Sequence, residues 1–254
     1  MKKGPRLVTA DDQRADAKRP PARHRLNLAE LAYDRLEELI VACELRPGMS
    51  LSLQDLQQMT GIGRTPIHQA VNKLAADTLI IVRPRHGLQI ASVDLARERM
   101  LLQLRRDLER FVVRLAAQRA NASHRNQLLH SIRILRDRGQ TMDIGEFNRL
   151  DRRMDHLLNV AAGEPFLEHT LRPLHTLSRR IGWIYHTWAA PDEGLSKTTN
   201  CHLEILEAVA KQRVREAISA ADCLIDFCDS MFDKIERAVD PARLDCNLEF
   251  IPNS

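Results

Sequence analysis

The feature that most constrains this chain is a change of period near residue 92. Beyond about Leu95 only helical periodicity is present, for roughly 145 residues, with breaks at 121–123, Gly139, Gly163, 191–194 and near Gln212. Breaks at that spacing predict about six helices, with Pro173 starting or kinking one of them. Helices in such a tract bury their apolar stripes against one another, so an all-α antiparallel bundle is expected over 93–240. Aromatic residues make up only 4% of a chain that is 44% hydrophobic. The core must therefore be built from Leu, Ile, Val, Ala and Met.

Residues 26–92 follow another pattern. Asn27 is placed to cap a helix whose apolar stripe is Leu28, Ala32, Leu36, Leu39, Ile40 and Cys43, with "RPG" at 46–48 as its stop. A short helix over 53–59 ends in "TGIG". A third starts at Thr65 with Pro66 in the favoured first position, and Ile67, Ala70, Val71 and Leu74 share one face. "TLIIV" and "LQIA" then read as strands around a turn at 83–87. Two short helices joined by a glycine-bearing turn and followed by a hairpin predict a winged helix-turn-helix, giving a mainly α protein.

The face left over on the third helix points to function. It carries Arg64, Thr65, His68 and Asn72, with no acid among them. A merely solvated face would mix in Glu and Asp. Donors near a helix N-terminus instead suit phosphates and base edges. The hairpin tip "RPRHG" adds Arg83, Arg85 and His86, with Gly87 allowing close backbone approach. Charge agrees with this assignment: residues 1–92 hold 14 Lys and Arg against 10 Asp and Glu, and the remainder holds 24 of each. Double-stranded DNA is the expected partner of the first domain.

The ends exclude other classes. Residues 1–25 are polar and basic without an apolar h-region, so they read as a disordered arm rather than a secretory signal. Residues 241–254 read as a C-terminal tail. No run approaches the roughly 20 apolar residues of a membrane-spanning helix. The five cysteines are odd in number and unpaired by motif, the expectation for reduced thiols in a cytoplasmic protein.

The segment from about Ala32 to Ile90 resembles the DNA-binding domain of GntR-type bacterial transcription regulators. The family pattern recurs as "LRPG", "LQQMTGIGRTPIHQAVNKL" and "RHG". The resemblance implies DNA contacts from Gln54, Gly63, Arg64, Thr65, His68, Arg85, His86 and Gly87. Two positions depart from the pattern: Gly63 stands where Ser or Thr is usual, and His68 where Arg is usual. A neutral His cannot make the bidentate guanine contact of Arg, which implies an altered operator half-site.

The second domain resembles the FCD effector domain of FadR-like members, through "RRDLERFVVRLAAQRA", "FNRLDRRMDHLLNVAAGEPFL" and "HLEILEAVA". Many such domains hold a divalent metal on one Asp and three His. Aligned on those motifs, the four positions here are Asp151, Asp155, His202 and Leu224. Asp155 replaces a His and Leu224 has no ligand atom. The chemistry leaves two readings open. Asp151 and Asp155 stand four apart on one helix face, where their like charges require a nearby cation. That cation is either one divalent metal (Zn²⁺, Mn²⁺ or Mg²⁺) or an arginine. Small organic acids are the effectors the resemblance implies, with Arg105, Arg179, Trp183 and His186 as candidate pocket residues. The resulting expectation is a ligand-responsive DNA-binding regulator. It would be a homodimeric repressor of a catabolic operon, acting on a near-palindromic operator and not an enzyme. The rival is a helical metal-dependent hydrolase fused to a DNA-binding module, but no nucleophile motif supports it.

Overall fold

The computed structural model describes residues 27–250; the predicted N-terminal arm and the last four residues of the predicted C-terminal tail lie outside the described residues. Asn27 accepts from the Ala29 N–H at 3.2 Å and starts α1 (Leu28–Val41). Its buried stripe begins at Ala32, not at Leu28, which is 52% exposed. The helix also ends before "RPG". Cys43 takes a positive φ of 52° and turns the chain, while Gly48, at φ 79°, donates its N–H to the Ile90 carbonyl. "RPG" is thus a turn into the sheet rather than a helix stop.

The strand β1 (Ser50–Leu51) leads into α2 (Leu53–Thr60), which opens on a capping box between Ser52 and Asp55. Gly61 closes it in the left-handed conformation, as the turn requires. The next helix, α3 (Arg64–Ala76), starts one residue earlier than predicted, so Pro66 is its third residue. That position still lies among the N–H groups that have no intrahelical acceptor, and the proline costs nothing there. The strands β2 (Ile80–Arg83) and β3 (Gly87–Ile90) form the hairpin, and the antiparallel order is β1–β3–β2.

Beyond Asp94, which caps it, α4 (Leu95–Arg119) opens the helical domain. It is followed by α5 (Ala122–Arg138), α6 (Ile144–Ala162), α7 (Pro165–Ile184), α8 (Ser196–Ala210) and α9 (Val214–Ala238). Pro173 lies inside α7 and does not start it. The helix survives the lost N–H because Leu167, Leu171, Leu174, Leu177, Ile181 and Ile184 hold one buried face on both sides of the ring. A π-helical turn over Tyr185–Ala189 ends it. The two 25-residue helices α4 and α9 run side by side, and Arg99, Arg106 and Arg110 pair with Asp229, Asp226 and Asp222. These partly exposed pairs fix register more than they stabilise.

The domains share a face. α1 packs on α3 with one side and on α7 with the other, and Leu177 of α7 is buried in the N-terminal core. The tail folds back as α10 (Pro241–Leu244) and a 3₁₀ turn, with the Val93 N–H donating to the Leu244 carbonyl and the Cys246 N–H to that of Pro47.

Candidate nucleic-acid interface and ligand cavity

Packing decides the presentation of α3. Ile67, Ala70, Val71 and Leu74 are at most 2% exposed, which leaves Arg64, Thr65, His68 and Asn72 in solvent. Gly63 offers no side-chain oxygen, so no side chain caps the first turn and the positive end of the helix dipole is open to an anion. His68 Nδ1 lies 3.4 Å from the Asn72 amide nitrogen, which holds the imidazole and the carboxamide side by side on the exposed face. Gln54, in the first turn of α2, and the wing residues Arg83, Arg85, His86 and Gly87 are also exposed. Gly87 has an internal role as well. It adopts φ 82°, and a Cβ there would lie 2.9 Å from the Leu51 carbonyl oxygen, so β1 and β3 could not close.

The helical domain holds a cavity of about 40 Å³ lined by charged and apolar side chains. Its floor is charged. Asp151 Oδ1 is 2.9 Å from His202 Nε2, while His202 Nδ1 donates to the Thr198 carbonyl at 2.8 Å. The Arg179 guanidinium bridges both aspartates through Nη1, at 2.7 Å to Asp155 and 3.4 Å to Asp151. His175 sits between Asp155 (3.0 Å) and Glu109 (2.7 Å), and Glu109 also accepts from Arg105 Nε at 3.0 Å. Burial pulls the His175 imidazole down, and the two flanking carboxylates more than reverse this, raising it to about 9. Burial likewise pushes Asp155 and Glu109 up, but His175 and the arginines hold both down at about 2. His202 is raised because the Asp151 carboxylate outweighs its burial.

Two buried nitrogens of residues lining the cavity have no hydrogen-bond partner: Arg179 Nε, a donor, and His186 Nδ1. His186 Nε2 is 2.9 Å from Thr198 Oγ1, and burial lowers its pKa. The remaining wall is apolar, from Phe147, Leu224, Phe227 and Met231. Of the four predicted pocket residues, Arg105, Arg179 and His186 meet here. Trp183 does not. It lines a separate cleft between α1 and α6, edge-on to Trp188 at 5.2 Å.

A divalent metal does not fit these residues. Only Asp151 and His202 face one another. Asp155 turns to Arg179 and His175, Leu224 offers no donor, and two protein ligands are short of a stable site. Among the described residues no three His, Cys, Asp or Glu side chains form a coordinating group. The cation that the paired aspartates demand is the guanidinium of Arg179.

Four residues of this network escaped the sequence reading: Glu37, Glu109, Arg152 and His175. His175 and Arg179 stand four apart on α7, and Arg105 and Glu109 four apart on α4, so that spacing was the available signal. Glu37 had none. It is nonetheless fully buried.

A winged domain with an acid-free recognition face, coupled to a helical domain with a cavity lined by charged and apolar side chains, defines a helix-turn-helix transcription regulator. The chain belongs to the gntR family of bacterial regulatory proteins, whose model matches residues 28–90, and it carries an FCD domain over 100–227. It is 30% identical over 183 residues to the HTH-type transcriptional repressor RspR of Escherichia coli K12, covering 71% of this chain and 78% of that one. It is 26% identical over 175 residues to the Nta operon transcriptional regulator of Aminobacter aminovorans, covering 68% and 80%. The fold is shared with E. coli McbR/YncC at TM-score 0.71 and 16% identity, over 82% of this chain and 98% of that one. It is also shared with a GntR regulator from Rhodococcus at TM-score 0.60 and 16% identity, over 84% and 99%. The family is one of transcription regulators, so the regulator reading is supported over the hydrolase alternative. Among the described residues no helix is long and apolar enough to cross a membrane, and all five cysteines are free thiols.

Proposed function

We propose that this regulator is a repressor that binds a near-palindromic operator as a homodimer and releases it when a small organic acid enters the FCD cavity without a metal. The observation that carries the effector class is Arg179: a buried guanidinium at the cavity wall with Nε lacking an acceptor. A carboxylate is the group that matches such an edge. The repressor role is supported by the relative RspR, named as one.

A second copy is supported by α4, where Met100, Leu104 and Phe111 are 65%, 51% and 40% exposed along one helix face. Two-fold pairing would set two recognition helices into successive major grooves. The test pairs a thermal-shift screen of small acids with operator binding by fluorescence anisotropy. An acid that raises the melting temperature and releases the operator is the expected result. A release that requires added metal, or is abolished by chelation, contradicts the metal-free reading. Light scattering checks the dimer, which Leu104→Glu should dissociate.

A further inference from the structure

We infer that Glu37, on the DNA-binding side of the domain boundary, occupies Arg179 in place of an effector carboxylate and so holds α1 on the FCD domain until an acid displaces it. The inference rests on the organic-acid reading above and adds the residue through which that acid is felt.

Glu37 is fully buried, although it belongs to a helix of the winged domain. Its Oε1 accepts from the Thr176 hydroxyl and lies 3.4 Å from Arg179 Nη2. Its Oε2 is 3.0 Å from Arg152 Nη2, an ion pair whose angle does not make a hydrogen bond, so that oxygen is buried without a donor. Arg179 is also incompletely used. A guanidinium grips a carboxylate best through Nε and Nη2 together, as Arg99 grips Asp229 at 2.9 and 2.8 Å. On Arg179 that edge is half filled, with Nη2 donating to Glu37 and to Thr176 Oγ1, each at 3.4 Å, and Nε to nothing. An effector carboxylate spanning both nitrogens would take Nη2 from Glu37.

What Glu37 lets go is connected to the DNA face. The same helix presents Glu30 and Asp34 to Arg172 and Arg152, so an acidic stripe on α1 meets a basic one on α6 and α7. Arg172 also lies 3.9 Å over the Tyr33 ring, whose hydroxyl donates to Asp77 at the end of α3. Bound acid and docked α1 would draw on one guanidinium edge, which is the differential interaction that a coupled equilibrium needs.

The test compares wild type, Glu37→Gln and the milder Arg152→Gln as full-length proteins. Hydrogen–deuterium exchange is read on α1, with α5 and α8 as internal controls, and acetate, succinate and glutarate are titrated by calorimetry. Faster exchange on α1 alone is expected in Glu37→Gln, and to a smaller degree in Arg152→Gln. Tighter binding of at least one of these acids is expected in Glu37→Gln, within the roughly 5–150-fold range of allosteric couplings. Unchanged α1 exchange in Glu37→Gln overturns the proposal, as does equal or weaker acid binding. If no protein binds any of the three acids while α1 still loosens, the carboxylate-effector reading fails and the Glu37 contact stands.

Discussion

The two functional regions of this regulator are built on opposite rules. The DNA-reading surface is exposed and has one sign of potential: Arg64, Thr65, His68 and the wing carry no acid among them, and each side chain reaches water. The FCD cavity is buried and balanced, with Arg105, Arg179 and His175 each facing a carboxylate. The first region waits for its counter-charge from a partner, whereas the second supplies its own. A substitution on the surface should therefore change binding and spare the fold, and one in the cavity should do both.

The largest expected effect lies in the buried network. Arg179→Met leaves Asp155, Asp151 and Glu37 short of a cation, and losing one partner of a buried charge cluster costs about 3–5 kcal/mol. Urea denaturation measures this. A loss below about 1 kcal/mol would show that water reaches the cluster, and the contrast between the regions would weaken. Next comes Arg64→Ala, which should remove specific operator binding, with about 1–3 kcal/mol lost at one base contact while the melting temperature stays unchanged. Nanomolar operator binding by that variant would displace Arg64 from the interface.

The pH dependence of stability is expected from the buried groups of the helical domain. His175 is raised to about 9, so its contribution to stability is full below its ordinary 6.5 and is lost as pH climbs through 9. Asp155 and Glu109 are lowered to about 2, so their contribution is full above their ordinary values and is lost as pH falls towards 2. Buried Glu98, raised to about 7, adds a decline between 4.5 and 7. Stability should thus fall on the alkaline side in wild type, and the limb between 6.5 and 9 should flatten in His175→Gln. The smallest effect is expected from His68→Arg. It should leave stability within about 0.5 kcal/mol, since the side chain is exposed, and shift base preference at one position of each half-site towards guanine. A binding-site selection on both proteins reads this directly.

Much of the fold was legible because its signals are local. The buried set of α3, the breaks between α4 and α9 and the hairpin were read from period and punctuation, which depend on a residue's own neighbours. Errors arose where a local rule met a tertiary contact. Pro173 reads as starting or kinking a helix because its ring lacks an N–H, yet it lies inside α7, whose apolar face is buried on both sides of it. Trp183 shares a helix stripe with Arg179 and His186, but that stripe is wide enough to face two different clefts.

The sequence by itself determined the two-domain order, the acid-free recognition helix and the need of Asp151 and Asp155 for a positive partner. Each follows from spacing along one helix. Only the tertiary structure decided what that partner is and what else it touches. Arg179 lies 24 residues from Asp155 and 142 from Glu37, separations at which spacing along one helix carries no information about contact. The burial of Glu37 arises because α1 meets α7 across the domain boundary, a contact that belongs to the packing of two domains and not to either period.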